Sequence, residues 1–150
     1  MRTLILSDLH LGSIHQADLQ RRPEAMEALL RRVADVDRVL LLGDVVELRH
    51  GPVREALELA RPFFAELGNA LAGRELLITA GNHDHALIEP WLSARCLDEE
   101  PGPLGPEQLL EPAEASPALE RISAWAAPAR VRVAYPGVWV RPDVYAPPGH

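Results

Sequence analysis

Three short apolar runs that do not alternate constrain this chain most: "RTLILS" at 2–7, "RVLLL" at 38–42 and "ELLITA" at 75–80. A strand with one wet face places a polar residue at every second position, whereas a strand covered on both faces does not. The stretches between these runs have helical spacing. Met26, Leu29, Leu30 and Val33 share one face behind Pro23, which suits a first helical turn. Val53, Ala56, Leu57, Ala60, Phe63, Phe64 and Leu67 repeat in the same way, and Pro62 should kink or split that helix. The order strand, helix, strand, helix, strand implies two successive crossover units and a parallel sheet. The Met and Phe positions read as core packing.

The second half is less regular. Between Asp98 and Pro117 the chain carries five prolines and little periodicity, which predicts a long loop. Ser116 and Pro117 suit the cap and first turn of a short helix through Trp125. "RVRVAYPGVWVRPDVYA", 130–146, predicts two or three strands with a turn at Pro136-Gly137. The alternation in "RVRVA" suggests a sheet with one exposed face.

At 150 residues the natural expectation is one domain, 1–150. The net charge of -7 argues against a protein held to nucleic acid by a basic surface. It does not exclude a phosphate substrate, because bound cations reverse the local field. Cys96 is the only cysteine, so no internal disulfide can form. The run "LIL" near the start is too short for a signal peptide, and no stretch approaches the roughly 20 apolar residues of a membrane span. The expected location is the cytoplasm.

The ends of the three apolar runs carry the chemistry. The first leads into "SDLHLG", with Asp8 and His10. The second leads into "GDVVELRHG", with Asp44 and Glu47, and the third into "GNHDH". In a parallel sheet these ends lie along one edge, where such folds bind ligands. Singly, each residue has a plain explanation. An aspartate after a strand is ordinarily a turn or cap residue, and Asn82 accepts a left-handed turn beside Gly81. Repetition at three strand ends is not something packing asks for, and burying such groups without a cation would be costly. Oxygen and imidazole donors together suit manganese, iron or zinc better than calcium.

Asp8-Leu9-His10, Gly43-Asp44-Val45-Val46-Glu47 and Gly81-Asn82-His83-Asp84 resemble the signature of the calcineurin-like metallophosphoesterases. That pattern is D-x-H, then G-D-x-x-[DE], then G-N-H-[DE], each after a strand. The resemblance implies an α/β layered fold with two mixed β-sheets flanked by helices and a centre of two divalent metal ions at one edge. It implies that Asp8 and His10 bind the first metal, Asp44 bridges both, and Asn82 binds the second. His83 would stabilise the transition state or protonate the leaving oxygen, and Glu47 would orient His83. Asp84 would be a structural hydrogen-bond partner. His85 has no family role and is expected in solvent. Arg49 and His50 lie close enough in sequence to Asp44 to meet a substrate phosphate, or to form surface ion pairs.

The same short stretches are similar to the branch that includes bacterial UDP-diacylglucosamine pyrophosphatases, and phosphoesterases of other specificity share them. The substrate class therefore stays at a phosphomonoester or phosphodiester. The family supplies further ligands from an H-G-H-like segment and a later G-H-x-H segment. Here "YAPPGH" stands in the first place, so Pro148 replaces its first histidine and His150 matches its second, as a further metal ligand. The expectation is a domain truncated at its C-terminus, with the second sheet incomplete, weak metal binding and self-association through the uncovered sheet. Two alternatives to an active enzyme stay open. One is a non-catalytic relative that binds metal or a phosphorylated ligand without turnover. The other is an interaction module whose polar cluster only caps turns.

Overall fold

A computed structural model describes residues 1–13 and 22–147. Pro148 and His150, both singled out above, lie outside the described residues. The chain order is β1 (Thr3–Leu6), α1 (Pro23–Val33), β2 (Arg38–Leu42), α2 (Val53–Leu71) and β3 (Glu75–Thr79), then a 3₁₀ turn at His85–Leu87 and α3 (Glu89–Leu97). There follow β4 (Glu107–Leu110), α4 (Pro112–Ala115), α5 (Pro117–Ala126), β5 (Arg130–Pro136), β6 (Val138–Arg141) and β7 (Val144–Ala146). The fold is α/β, with a five-stranded mixed sheet ordered β1-β2-β3-β5-β4 and a separate antiparallel pair, β6-β7. Strands β1, β2, β3 and β5 run parallel, and β4 pairs antiparallel with β5.

The register explains why the apolar runs do not alternate. Leu4, Val39, Leu76 and Val131 lie side by side and, with Leu6, Leu41, Ile78 and Val133, face the helices. Phe63, Phe64 and Leu67 of α2 and Leu119 and Ile122 of α5 complete that core. On the other face, Leu40, Leu77 and Ala134 pack against Val138 and Ala146 of the β6-β7 hairpin. The hairpin buries Leu40 and Leu77, whereas Ile5 on the edge strand β1 is 43% exposed.

Helix α2 runs unbroken across Pro62, so the expected split does not occur. Pro62 lies on the exposed side, where water can serve the carbonyl it leaves without a donor. Gly68 permits the contact between α2 and α5, because a Cβ there would stand 2.0 Å from the Ala126 carbonyl oxygen. Ser116 caps α5 as expected, its hydroxyl accepting the Leu119 N–H at 3.1 Å. The stretch expected to be one long loop contains β4 and α4. Its strand is four residues long at the sheet edge, held by backbone pairing to β5 rather than by a side-chain pattern.

Arg74 ties the helix ends together. Its guanidinium donates to the carbonyls of Leu71 and Ala70 at 2.7 Å each, to Val33 at 2.9 Å, and to Val36. These are carbonyls at and just beyond the C-termini of α1 and α2, where a cation is favoured.

Candidate metal centre

The loops that follow β1, β2 and β3 are zipped together by their backbones. Asp8 N–H donates to Gly43 O at 3.2 Å, His10 N–H to Asp44 O at 3.0 Å and Leu11 N–H to Val45 O at 2.8 Å. The Gly43 N–H in turn reaches Thr79 O at 3.1 Å. Gly81 has no room for a side chain, since a Cβ would lie 2.5 Å from Asp44 Oδ1. This contact brings the second and third loops together.

The backbone is strained where the donors sit. Asp8, His10 and Asp44 have φ of 55°, 46° and 51°. The only other described non-glycine residue at positive φ is Ala72, which ends α2. Such conformations cost roughly 1–3 kcal/mol each and persist only when the surroundings enforce them. Much of that enforcement comes from Asp84, which is fully buried. Its carboxylate accepts N–H bonds from Gly81 at 2.6 Å, Val45 at 2.8 Å, Asp44 at 3.3 Å and Val46 at 3.4 Å. Burial pushes its pKa above the usual carboxylate value and nearby Asp44 adds to this, while the N–H bonds oppose the shift. Asp84 is thus a structural partner, as the motif implied.

The folding of these loops brings together Asp8, His10 and Asp44, whose donor atoms lie within 4.8 Å of one another. His10, Glu47 and His83 form a second such group. Asp44 is only 2% exposed, and its Oδ1 also accepts the His83 N–H at 2.9 Å. Asn82 is exposed in the same turn, between Gly81 and His83, which both bond into the cluster. Two carboxylates and an imidazole at this spacing fit a divalent transition metal.

Glu47 has more partners than the motif implied. Its Oε2 lies 2.7 Å from His83 Nδ1 and also 3.3 Å from His10 Nδ1. The two rings meet edge to face, 4.9 Å apart. His10 Nε2 faces the other way, 3.9 Å from Asp8 Oδ1. A neutral His10 donating from Nδ1 to Glu47 presents its Nε2 lone pair towards Asp8 and Asp44, the tautomer a metal ligand requires. The contact between His10 and Glu47 was not legible in the sequence, because it depends on the pairing of Leu11 with Val46 across two loops. Burial acts to raise the Glu47 pKa, but the Arg49 N–H at 3.0 Å and the imidazoles of His83 and His10 outweigh it, leaving the carboxyl below its usual range.

Arg49 and His50 are exposed beside this cluster, and the His50 ring stands 6.2 Å from that of His83. His85 is exposed at the start of the 3₁₀ turn, as expected. Among the described residues, no helix is long and apolar enough to cross a membrane. No curated protein matches the chain. A family model for calcineurin-like phosphoesterases matches residues 1–140, over the same three loops and the sheet that carries them. With that match and a cluster of candidate ligands at the expected edge, the chain belongs to the calcineurin-like phosphoesterase family, whose members in general are metal-dependent.

Proposed function

We propose that the chain hydrolyses a phosphomonoester or phosphodiester with a water activated between two divalent cations. The observation that carries this reading is the approach of Asp8, His10 and Asp44 to within 4.8 Å, beside an imidazole held by Glu47. When bound, two divalent cations (manganese, iron or zinc) supply a water that ionises near neutral pH and a field that polarises the phosphoryl oxygen. Asp8 and His10 would hold one cation. Asp44 would serve both cations, and Asn82 would offer its side-chain carbonyl to the second. His83, bonded through Nδ1 to Glu47, keeps Nε2 for the substrate, where it stabilises developing charge or protonates the leaving oxygen. Glu47 sets the orientation of His83 and of His10 together. Arg49 and His50, exposed beside Glu47 and His83, would meet the substrate phosphate.

A second reading is metal or phosphorylated-ligand binding without turnover. Pro148 favours it, because it occupies the place where the family resemblance puts a histidine ligand. Metal titration of the purified chain, run beside turnover of chromogenic phosphodiesters and phosphomonoesters with manganese, zinc or iron, separates the two. Metal uptake with turnover supports the first reading. Uptake without turnover supports the second, and no uptake ends the first reading together with the metal-binding form of the second.

A further inference from the structure

The opposite edge of the main sheet carries a second polar cleft, of about 220 Å³, lined by Glu75, Glu111, Arg130, Val131 and Arg132. Glu75 pairs with Arg130 at the N-terminal ends of β3 and β5, so this cleft lies at the strand ends remote from Asp8 and Asp44. Arg130 and Arg132 stand two residues apart on β5, so both side chains leave the same face of the sheet. The charges here are unequally satisfied. Glu75 is 3.7 Å from Arg38, and Glu111 accepts an N–H in the reciprocal cap that opens α4. Neither Arg130 nor Arg132 has a side-chain hydrogen bond or ion pair with another described residue, and Arg132 Nε is buried without a partner among them. Buried N–H groups are nearly always matched by an acceptor.

We propose that this cleft binds a small phosphate oxyanion, inorganic phosphate in its monohydrogen form. Two guanidiniums on one face offer forked donors that match the oxygens of a tetrahedral anion. The carboxylates of Glu75 and Glu111 refine the choice. A monohydrogen phosphate has an O–H to donate to them, whereas sulfate brings only acceptors against their negative charge. The site is independent of the metal centre and of the activity proposed for it.

The test is calorimetric titration of the full chain with sodium phosphate, in chelator and near neutral pH, with sulfate and methyl phosphate at matched ionic strength. Saturable phosphate binding is expected, with sulfate weaker by about tenfold or more; Arg132→Gln and Arg130→Gln should each weaken phosphate by a similar factor, the loss of one charged hydrogen-bond donor set. Asp44→Asn, at the other edge, should leave this binding unchanged. Methyl phosphate, whose dianion has no O–H near neutral pH, should bind more weakly than phosphate, and equal binding would overturn the role given to Glu75 and Glu111. Because Arg130 is exposed, its variant keeps the test decisive if Arg132→Gln fails to fold. The proposal is overturned by phosphate binding that survives both arginine substitutions, by sulfate binding equally well, or by no saturable binding.

Discussion

At one end of the main sheet a buried carboxylate gathers N–H groups; at the other a guanidinium gathers carbonyls. Asp84 accepts from Gly81, Asp44, Val45 and Val46, and Arg74 donates to Leu71, Ala70, Val33 and Val36. The device is the same with the charge reversed, but what it holds differs. Arg74 satisfies carbonyls around helix ends where one residue, Ala72, has a positive φ of 50°. Asp84 holds the loop in which Asp44 has φ of 51°, next to Asp8 and His10 at 55° and 46°. Three of the four described non-glycine residues at positive φ thus lie at the end that carries the candidate ligands, and the buried anion holds the Asp44 loop in place.

The sharpest way to break this contrast is at Asp44. Asp44→Asn should abolish measurable turnover and most metal uptake, an effect beyond the about 10–100-fold typical of a residue that only supports a ligand. The folded state should remain, and metal analysis beside a denaturation curve would show both. Asp84→Ala should cost about 3–5 kcal/mol in chemical denaturation, because several buried N–H groups lose their acceptor at once. It should also loosen metal binding, since the strained loop is released.

Arg74→Ala is the matching change at the other end. It should cost about 2–3 kcal/mol and leave turnover per folded molecule unaltered, because carbonyls at helix ends can find water. A turnover loss as large as that of Asp84→Ala would erase the distinction between the two ends. Glu47→Gln should reduce activity or metal affinity by about 10–100-fold through misdirected His83 and His10 rings. Equal, small effects of Asp44→Asn and Glu47→Gln would contradict the roles given to them.

The smallest effect concerns acid. The folded Glu47 carboxyl lies below its ordinary value of 4.5, so its contribution to stability is full above that value and fades as pH falls through the folded value. In chelator, denaturation curves of the wild type and Glu47→Gln should stay parallel above about pH 5 and converge below it. Divergence towards acid would reverse the sign of the shift.

The parallel core strands were readable from sequence because burial on both faces leaves a local signature, an apolar run without alternation. Asp8, His10 and Asp44 were readable as a group because each follows such a run. Strand β4 was not, since an edge strand of four residues is held by backbone bonds to β5 and leaves little side-chain pattern. The same holds for α3, in which no residue is buried and whose sequence therefore carries little periodic signal.

Sequence by itself determined which side chains sit at the strand ends and the order of the elements that deliver them, because periodicity and chain order are local properties. Only the tertiary structure decided that one Glu47 oxygen serves both His10 and His83, that Asp84 collects N–H groups from two loops, and that Arg132 lies without a partner among the described residues. Each of those depends on the register between segments tens of residues apart. Hydrogen-bond geometry changes over fractions of an ångström, whereas a hydrophobic pattern tolerates far more.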